Sequence, residues 1–254
     1  MKIGFYDSGL GGLTVLSKFI STIPRNEFFY LGDNENAPYG DKSEKELREI
    51  FEGNIKYFYE NGIKDVVLAC NTMSTTLYSW ASEKYKDVKF YTVKPFIDYS
   101  RLKGFCYVFC TVRTAESLAK SLSGASKEIK IISCRGLVEL IENNEISYKK
   151  LSSFLTENKN DVGQVVLGCT HYEIIKDLFK RYYPNAYFTD NVSPLVKSFK
   201  NGDGDGSVTF LGQSKFFNAE KFPKIYKKIN KNGKILTKVV DNYHKWLYNI
   251  VITT

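Results

Sequence analysis

Two stretches of this 254-residue chain are built alike. One is Val66-Val67-Leu68-Ala69-Cys70-Asn71-Thr72 and the other is Val165-Val166-Leu167-Gly168-Cys169-Thr170-His171. Each is a short apolar run rich in β-branched residues, the composition of a strand. Each ends in a cysteine and small polar residues, and helical character follows. A strand with a cysteine at its carboxyl end and a helix just beyond it narrows the possible folds sharply. Alternating strands and helices make parallel sheets with covering helices, and such sheets bind ligands outside the carboxyl ends of their strands. The two cysteines lie 99 positions apart (169 minus 70), roughly the length of one small α/β domain. Two such sheets facing each other would present both thiols to one ligand.

The rest of the chain continues the pattern. Strands are expected at Lys2–Tyr6, Glu27–Leu31, Asp65–Ala69, Val88–Val93, Phe105–Phe109, Ile129–Ile132, Val165–Gly168 and Val208–Leu211. Helices are expected at Leu13–Ile20, Thr72–Lys84, Arg113–Ser123, Leu137–Glu142, Tyr148–Asn158 and Tyr172–Arg181. Ser43-Glu44-Lys45-Glu46 reads as a capping box that opens a long helix to about Glu60, which Asn61-Gly62 stops. The run from Asn201 to Gly206 combines glycine with turn formers and is the clearest linker, and Lys94-Pro95 is a weaker boundary. The fold class is α/β, in two doubly wound halves. The first takes residues 1–93 and is rejoined by 208–254, and the second takes 94–207.

Composition excludes several classes. The chain is 43% hydrophobic and 25% charged, as ordinary globular proteins are. No apolar run is long enough to cross a bilayer, and the start has no signal-peptide layout, so a cytoplasmic protein without a membrane partner is expected. Five cysteines without a C-x-x-C pair argue against a disulfide framework and against a zinc ribbon, so no metal is expected. Cys106 and Cys110, four apart in an apolar strand, share one buried face and read as structural. The net charge of +8 is scattered except for a Lys-rich run from Lys221 to Lys238, and no nucleic-acid-binding motif accompanies it. His244 sits in that tail and reads as structural.

Chemistry concentrates at three strand ends. A thiol at a helix N-terminus feels the positive end of the dipole and loses its proton more readily, which suits a nucleophile or a general base. Either of Cys70 and Cys169 alone would read as a core cysteine. Two in matched contexts favour function. Asp7-Ser8-Gly9-Leu10-Gly11-Gly12 closes the first strand with glycines that let backbone N–H groups approach a carboxylate or phosphate. It is neither a dinucleotide fingerprint, since Thr14 stands at the third glycine, nor a phosphate-binding P-loop. Asp7 reads as a general base or second support, with a turn or cap aspartate as the structural reading. His171, two residues past Cys169, is close enough to orient that thiol or relay its proton.

Taken together, Asp7-Ser8-Gly9-x-Gly11-Gly12-Leu13-Thr14-Val15, Pro38-Tyr39-Gly40 with Lys42-Ser43, Ala69-Cys70-Asn71-Thr72 and Leu167-Gly168-Cys169-Thr170-His171-Tyr172 resemble the glutamate racemases of the aspartate/glutamate racemase superfamily. The motifs follow the family's order and spacing from residue 3 to about 190. His171 after Cys-Thr favours the glutamate branch over the aspartate branch, which tends to carry Glu there. The resemblance implies two α/β domains related by a pseudo-twofold axis, with the active site in the cleft between them. It implies interconversion of L- and D-glutamate without a cofactor, supplying D-glutamate for peptidoglycan, and a homodimer. Cys70 and Cys169 become the acid/base pair, supported by Asp7 and His171 respectively. Ser8, Tyr39, Gly40, Asn71, Thr72 and Thr170 hold the substrate, with Thr111 and Thr114 near it and Glu142 assisting the second half-site.

The chain departs from the family pattern at Lys94, where Glu is usual, and at Arg135-Gly136, where a Pro-containing run is typical. Cys110 and Arg113 bracket the threonine pair in place of small residues, and Glu173 replaces a Pro. The tail after Asp241 is longer and more apolar than the family's, as if to pack on the domain or on another subunit. Competing readings are an aspartate racemase, a decarboxylase using one cysteine, and a non-catalytic binding protein on the same scaffold.

Overall fold

Strands and helices alternate through most of the chain. The computed structural model describes residues 1–122, 124, 127–155, 161–213, 238–241 and 247–252, those after 211 by backbone alone. The first half contains β1 (Lys2–Asp7), α1 (Leu13–Thr22), β2 (Glu27–Gly32), a 3₁₀ turn (Tyr39–Asp41), α2 (Glu44–Glu60), β3 (Asp65–Leu68), α3 (Asn71–Thr76), α4 (Tyr78–Lys84) and β4 (Lys89–Thr92). The second contains a 3₁₀ turn (Tyr99–Arg101), β5 (Phe105–Cys110), α5 (Val112–Ser121), β6 (Ile129–Ser133), α6 (Leu137–Glu142), α7 (Tyr148–Ser152), β7 (Val162–Gly168), α8 (Thr170–Ile174), α9 (Lys176–Tyr182) and β8 (Tyr187–Phe188). Then come α10 (Ser193–Val196), β9 (Val208–Gln213), β10 (Lys238–Asp241) and β11 (Leu247–Ile252).

The described strands form two sheets. The larger runs β10-β11-β9-β2-β1-β3-β4 and the smaller β6-β5-β7-β8. From β9 to β4 the larger sheet is parallel, and β11 and β10 extend it antiparallel beyond β9. The smaller sheet is parallel throughout. Side chains alternate between the two faces of each sheet, so each strand feeds two cores. Ile3, Phe5, Val67 and Ala69 enter one core, while Tyr6, Val66, Leu68 and Cys70 enter the other. In the smaller sheet Tyr107, Phe109, Val165, Leu167 and Cys169 share one face; Cys106, Val108, Cys110 and Val166 share the opposite one. Both sheets are therefore sandwiched, as in a doubly wound α/β fold.

Local signals account for most boundaries. The Ser43 side chain accepts from Glu46 N (3.2 Å), and Glu46 Oε2 accepts from Ser43 N (2.7 Å), which completes the capping box of α2. Gly62, at φ 65°, ends that helix in the left-handed region. Two expected helices are each broken in two, at Leu77 and at Ile175. Near the first break Thr75 Oγ1 donates to the carbonyls of Asn71 (2.9 Å) and Thr72 (3.2 Å), while Ser74 Oγ donates to Leu68 O. Hydroxyls that bond backbone carbonyls compete with helix propagation. Near the second break the adjacent β-branched Ile174 and Ile175 do the same sterically.

The chain passes to the smaller sheet after β4 and returns after β8. Phe96 N donates to Asn191 Oδ1 (2.9 Å), which ties the two crossings side by side. Most of the Lys-rich run, His244 and residues 253–254 lie outside the described residues. The apolar end of the tail is partly described: β11 pairs with β9, and β10 pairs with β11, so it widens the first sheet.

Candidate active site

The carboxyl ends of β1 and β3 hold the first group of candidates. Asp7 ends β1 and is fully buried. Its Oδ2 accepts from Gly9 N (3.1 Å), which is the turn role expected of an aspartate at this position. Cys70 caps α3 and its Sγ lies 3.7 Å from Ser8 Oγ. The dipole argument fails at this thiol. Burial pushes Cys70 up to about 12, and the nearby Asp7 charge pushes the same way. Helix α3 is too short, at six residues, to overcome that desolvation. Asn71 Nδ2 donates to Val93 O (2.8 Å), which fixes the amide against the end of β4.

The second group stands at the ends of β7 and α6. Cys169 caps α8, and its Sγ lies 4.0 Å from His171 Nδ1. Cys70 and Cys169 are 5% and 6% exposed. His171 Nε2 meets Glu142 Oε1 at 2.6 Å. Burial alone would lower the imidazole. Its hydrogen bonds to Cys169 and Glu142 outweigh that and hold it well above its usual value. Gly136 makes the turn into α6 at φ 84°, a conformation that favours glycine, and so aims the far end of α6 at His171.

The two groups touch. Thr170 Oγ1 donates to Asp7 Oδ1 (3.2 Å), and Leu10 N donates to Glu142 Oε1 (3.3 Å). The hydroxyls of Thr72, Thr111 and Thr114 form a buried triangle across the boundary, at 2.9, 3.3 and 3.0 Å. Gly40 packs so closely on Thr111 that a Cβ there would come within 2.6 Å of the threonine Cβ. Asp7, Ser8, Gly40, Cys70 and Thr72 from the first half thus converge with Thr111, Thr114, Glu142, Cys169, Thr170 and His171 from the second.

The Tyr39 side chain is engaged in a network of its own. Its hydroxyl donates to Asp33 Oδ2 (2.6 Å) and lies 3.0 Å from Tyr6 OH. Asn54 Nδ2 reaches Tyr6 OH (2.8 Å) and Asp33 Oδ2 (3.0 Å), and Asn36 Nδ2 reaches both Asp33 oxygens. The phenol is committed to this buried network, while the neighbouring Gly40 packs on Thr111 of the threonine triangle. Sequence reasoning missed Asp33, Asn54 and Tyr6. The signal available was Asp33 directly after β2, one residue beyond the Gly32 that pairs with Asp7.

Cys110 and Cys134 flank Cys169 as wall residues, and burial pushes both thiols up. Cys106, on the same face of β5 as Cys110, donates to Gln164 Oε1 (3.2 Å). Lys94 lies over the Tyr78 ring at 4.8 Å, and burial lowers its ammonium. Among the described residues no three or more His, Cys, Asp or Glu side chains are grouped to hold a metal ion, and no helix is long and apolar enough to cross a membrane.

No family model matches the chain. It is 37% identical to a glutamate racemase of Clostridium botulinum over 188 residues, covering 69% of this chain and 72% of that protein. It is 34% identical to a glutamate racemase of Carboxydothermus hydrogenoformans over 227 residues, 83% of this chain and 86% of that one. In fold it is similar to the Escherichia coli glutamate racemase solved with L-glutamate and the activator UDP-MurNAc-Ala. That TM-score is 0.78 at 23% identity, over 90% of this chain and 94% of the other.

Proposed function

The chain belongs to the glutamate racemase family, and from this we propose that it interconverts L- and D-glutamate by two-base proton transfer between Cys70 and Cys169. One sulfur takes the α-proton from one face of Cα as the C–H bond breaks. The opposite thiol gives its proton to the other face, and the two sulfurs exchange protonation states. Racemisation demands this arrangement, because the proton must leave and return on opposite sides of one carbon.

The observation that carries the reading is the convergence of two strand-end cysteines from two sheets, tied together by the Thr170–Asp7 hydrogen bond at 3.2 Å. Asp7 serves Cys70 through its charge and its grip on Thr170. His171, held against Glu142, stabilises negative charge that develops on Cys169 during transfer. Ser8, the Tyr39–Gly40 backbone, Asn71, Thr72, Thr111, Thr114 and Thr170 bind the amino and carboxylate groups. The chain divides into one domain of residues 1–93 with 208–254 and another of 94–207. Its product is D-glutamate for peptidoglycan.

Solvent deuterium exchange at Cα tests the reaction, with each glutamate enantiomer and with wild type, Cys70→Ala and Cys169→Ala. Wild type should wash deuterium into both enantiomers, and each alanine variant should lose racemisation of both. A Cys→Ser variant on one side should retain exchange from one enantiomer only. Racemisation at the wild-type rate by either alanine variant would end the two-base reading. L-Aspartate assayed in parallel separates the two branches of the superfamily, and turnover of aspartate with none of glutamate reassigns the substrate.

A further inference from the structure

Both cysteines, Asp7, His171 and the four threonines of the site are buried, so substrate must enter by separation of the two halves. The strand orders say where they pivot and where they part. Among the described residues the chain crosses only after β4 and β8, which are edge strands, and Asn191 pins the crossings together. The 3₁₀ turn Tyr39–Asp41 follows β2, three strands from β4, and Arg135 follows β6, three strands from β8. At about 4.8 Å per strand, both stand on the order of 14 Å from the pivot side. The catalytic candidates follow the strands between.

Contacts across the halves recur at that far lip. Arg135 Nη1 meets Asp41 Oδ1 at 3.0 Å. Arg113 Nε donates to Lys42 O (2.9 Å), while its Nη1 holds Glu116 Oε2 (2.6 Å) in its own helix, which fixes the guanidinium plane. The void between the turn and the second half, bounded by Gly40, Asp41, Thr111 and Arg135, measures about 10 Å³, no more than one water's worth. The turn is therefore seated, not merely near. Both arginines are among the residues where this chain departs from the racemase pattern.

We infer that Arg113 and Arg135 are positioning residues that hold the Tyr39–Asp41 turn closed over the site, and so set the apparent affinity for the amino acid. They touch no reacting atom and act through the backbone of Tyr39 and Gly40. The inference rests on the racemase reading of that site.

The test measures kcat and KM for both glutamate enantiomers with Arg113→Gln, Arg135→Gln, the Arg113→Gln/Arg135→Gln double variant, Arg135→Asp, and the charge swap Arg135→Asp with Asp41→Arg. An exposed ion pair corresponds to about a two- to fivefold rise in KM for Arg135→Gln. Loss of both anchors should raise KM about tenfold, and the loss should fall on KM and not on kcat. The charge swap should restore KM toward wild type, which a general packing defect would not do. Unchanged KM in all variants overturns the inference alone. So does a loss borne equally by kcat, or a swap no better than Arg135→Asp by itself. A wild type that exchanges the α-proton of neither enantiomer overturns the reaction, and this inference with it.

Discussion

Gly11→Ala tests how closely the two halves must fit. A Cβ at Gly11 would lie 2.4 Å from Thr170 Oγ1, 2.6 Å from His171 N and 2.7 Å from His171 Nδ1. Carbon contacts are comfortable from about 3.5 Å, so the halves must part by about 1 Å. Gly11 is not in the left-handed region, so alanine adds contact and no backbone strain. The atoms in the way belong to the first turn of α8 and to the hydroxyl that binds Asp7, none of them the tip of a flexible chain. Overpacking of this kind costs about 1–3 kcal/mol. Misplacing a catalytic group by about 1 Å costs about 100-fold in rate. Circular dichroism of L-glutamate racemisation should therefore show kcat/KM lowered about 100-fold, with a Tm several degrees lower (roughly 2–4 °C per kcal/mol at this size). Gly53→Ala is the control: it sits exposed in α2 with nothing within 4 Å of a Cβ, and should gain about 0.5–1 kcal/mol with unchanged rate. If Gly11→Ala kept kcat/KM within about threefold and Tm unaltered, the close fit between Gly11 and α8 would be refuted.

Other expectations concern charge and capping. Glu142→Gln removes the negative charge that helps to raise His171, so the imidazolium should be lost at lower pH and the alkaline limb of the kcat profile should shift toward neutrality. An unmoved limb would separate His171 from that limb. Burial raises Asp7, so the folded state binds its proton more tightly than the unfolded chain, and ionised Asp7 costs stability as pH rises above the ordinary carboxylate range. Asp7→Asn should therefore lose activity yet melt higher than wild type at pH 7, with the gap closing toward about pH 4. Equal melting temperatures at both pH values would contradict the buried-charge account. Ser43→Ala removes half of the α2 capping box and should cost about 1 kcal/mol in chemical denaturation with kcat intact.

The layout was legible because each strand carries its own signal. Val66–Leu68 and Val165–Leu167 are apolar on both faces, and a chain cannot hide two such runs except inside covered parallel sheets. Ser43 and Glu46 announced α2 at three residues' spacing. What escaped were consequences of long-range packing. Thr170 and Asp7 are 163 positions apart, and no local pattern encodes their bond. The bond from the Tyr39 hydroxyl to Asp33 joins two loop residues and carries no periodic signal. The Cys70 thiol sits where a helix dipole should acidify it. Burial, a property of the whole fold, reverses the sign. The breaks at Leu77 and Ile175 depend on hydroxyl bonding and side-chain crowding that hydrophobic period alone does not weigh.

The parallel pairing of β2 with β9 has a consequence for how the molecule is made. Phe28 stands opposite Val208, 180 positions later (208 minus 28), so the ribosome must deliver nearly the whole chain before that sheet can add β9. The smaller sheet draws on one continuous stretch, from Phe105 to Phe188, and can close as soon as that stretch emerges. Loop closure over so long a separation is slow compared with closure within the shorter segment. The C-terminal portion of the polypeptide thus completes a half whose own beginning was synthesised first, and the two thiols can meet only after the later-begun half has already taken shape.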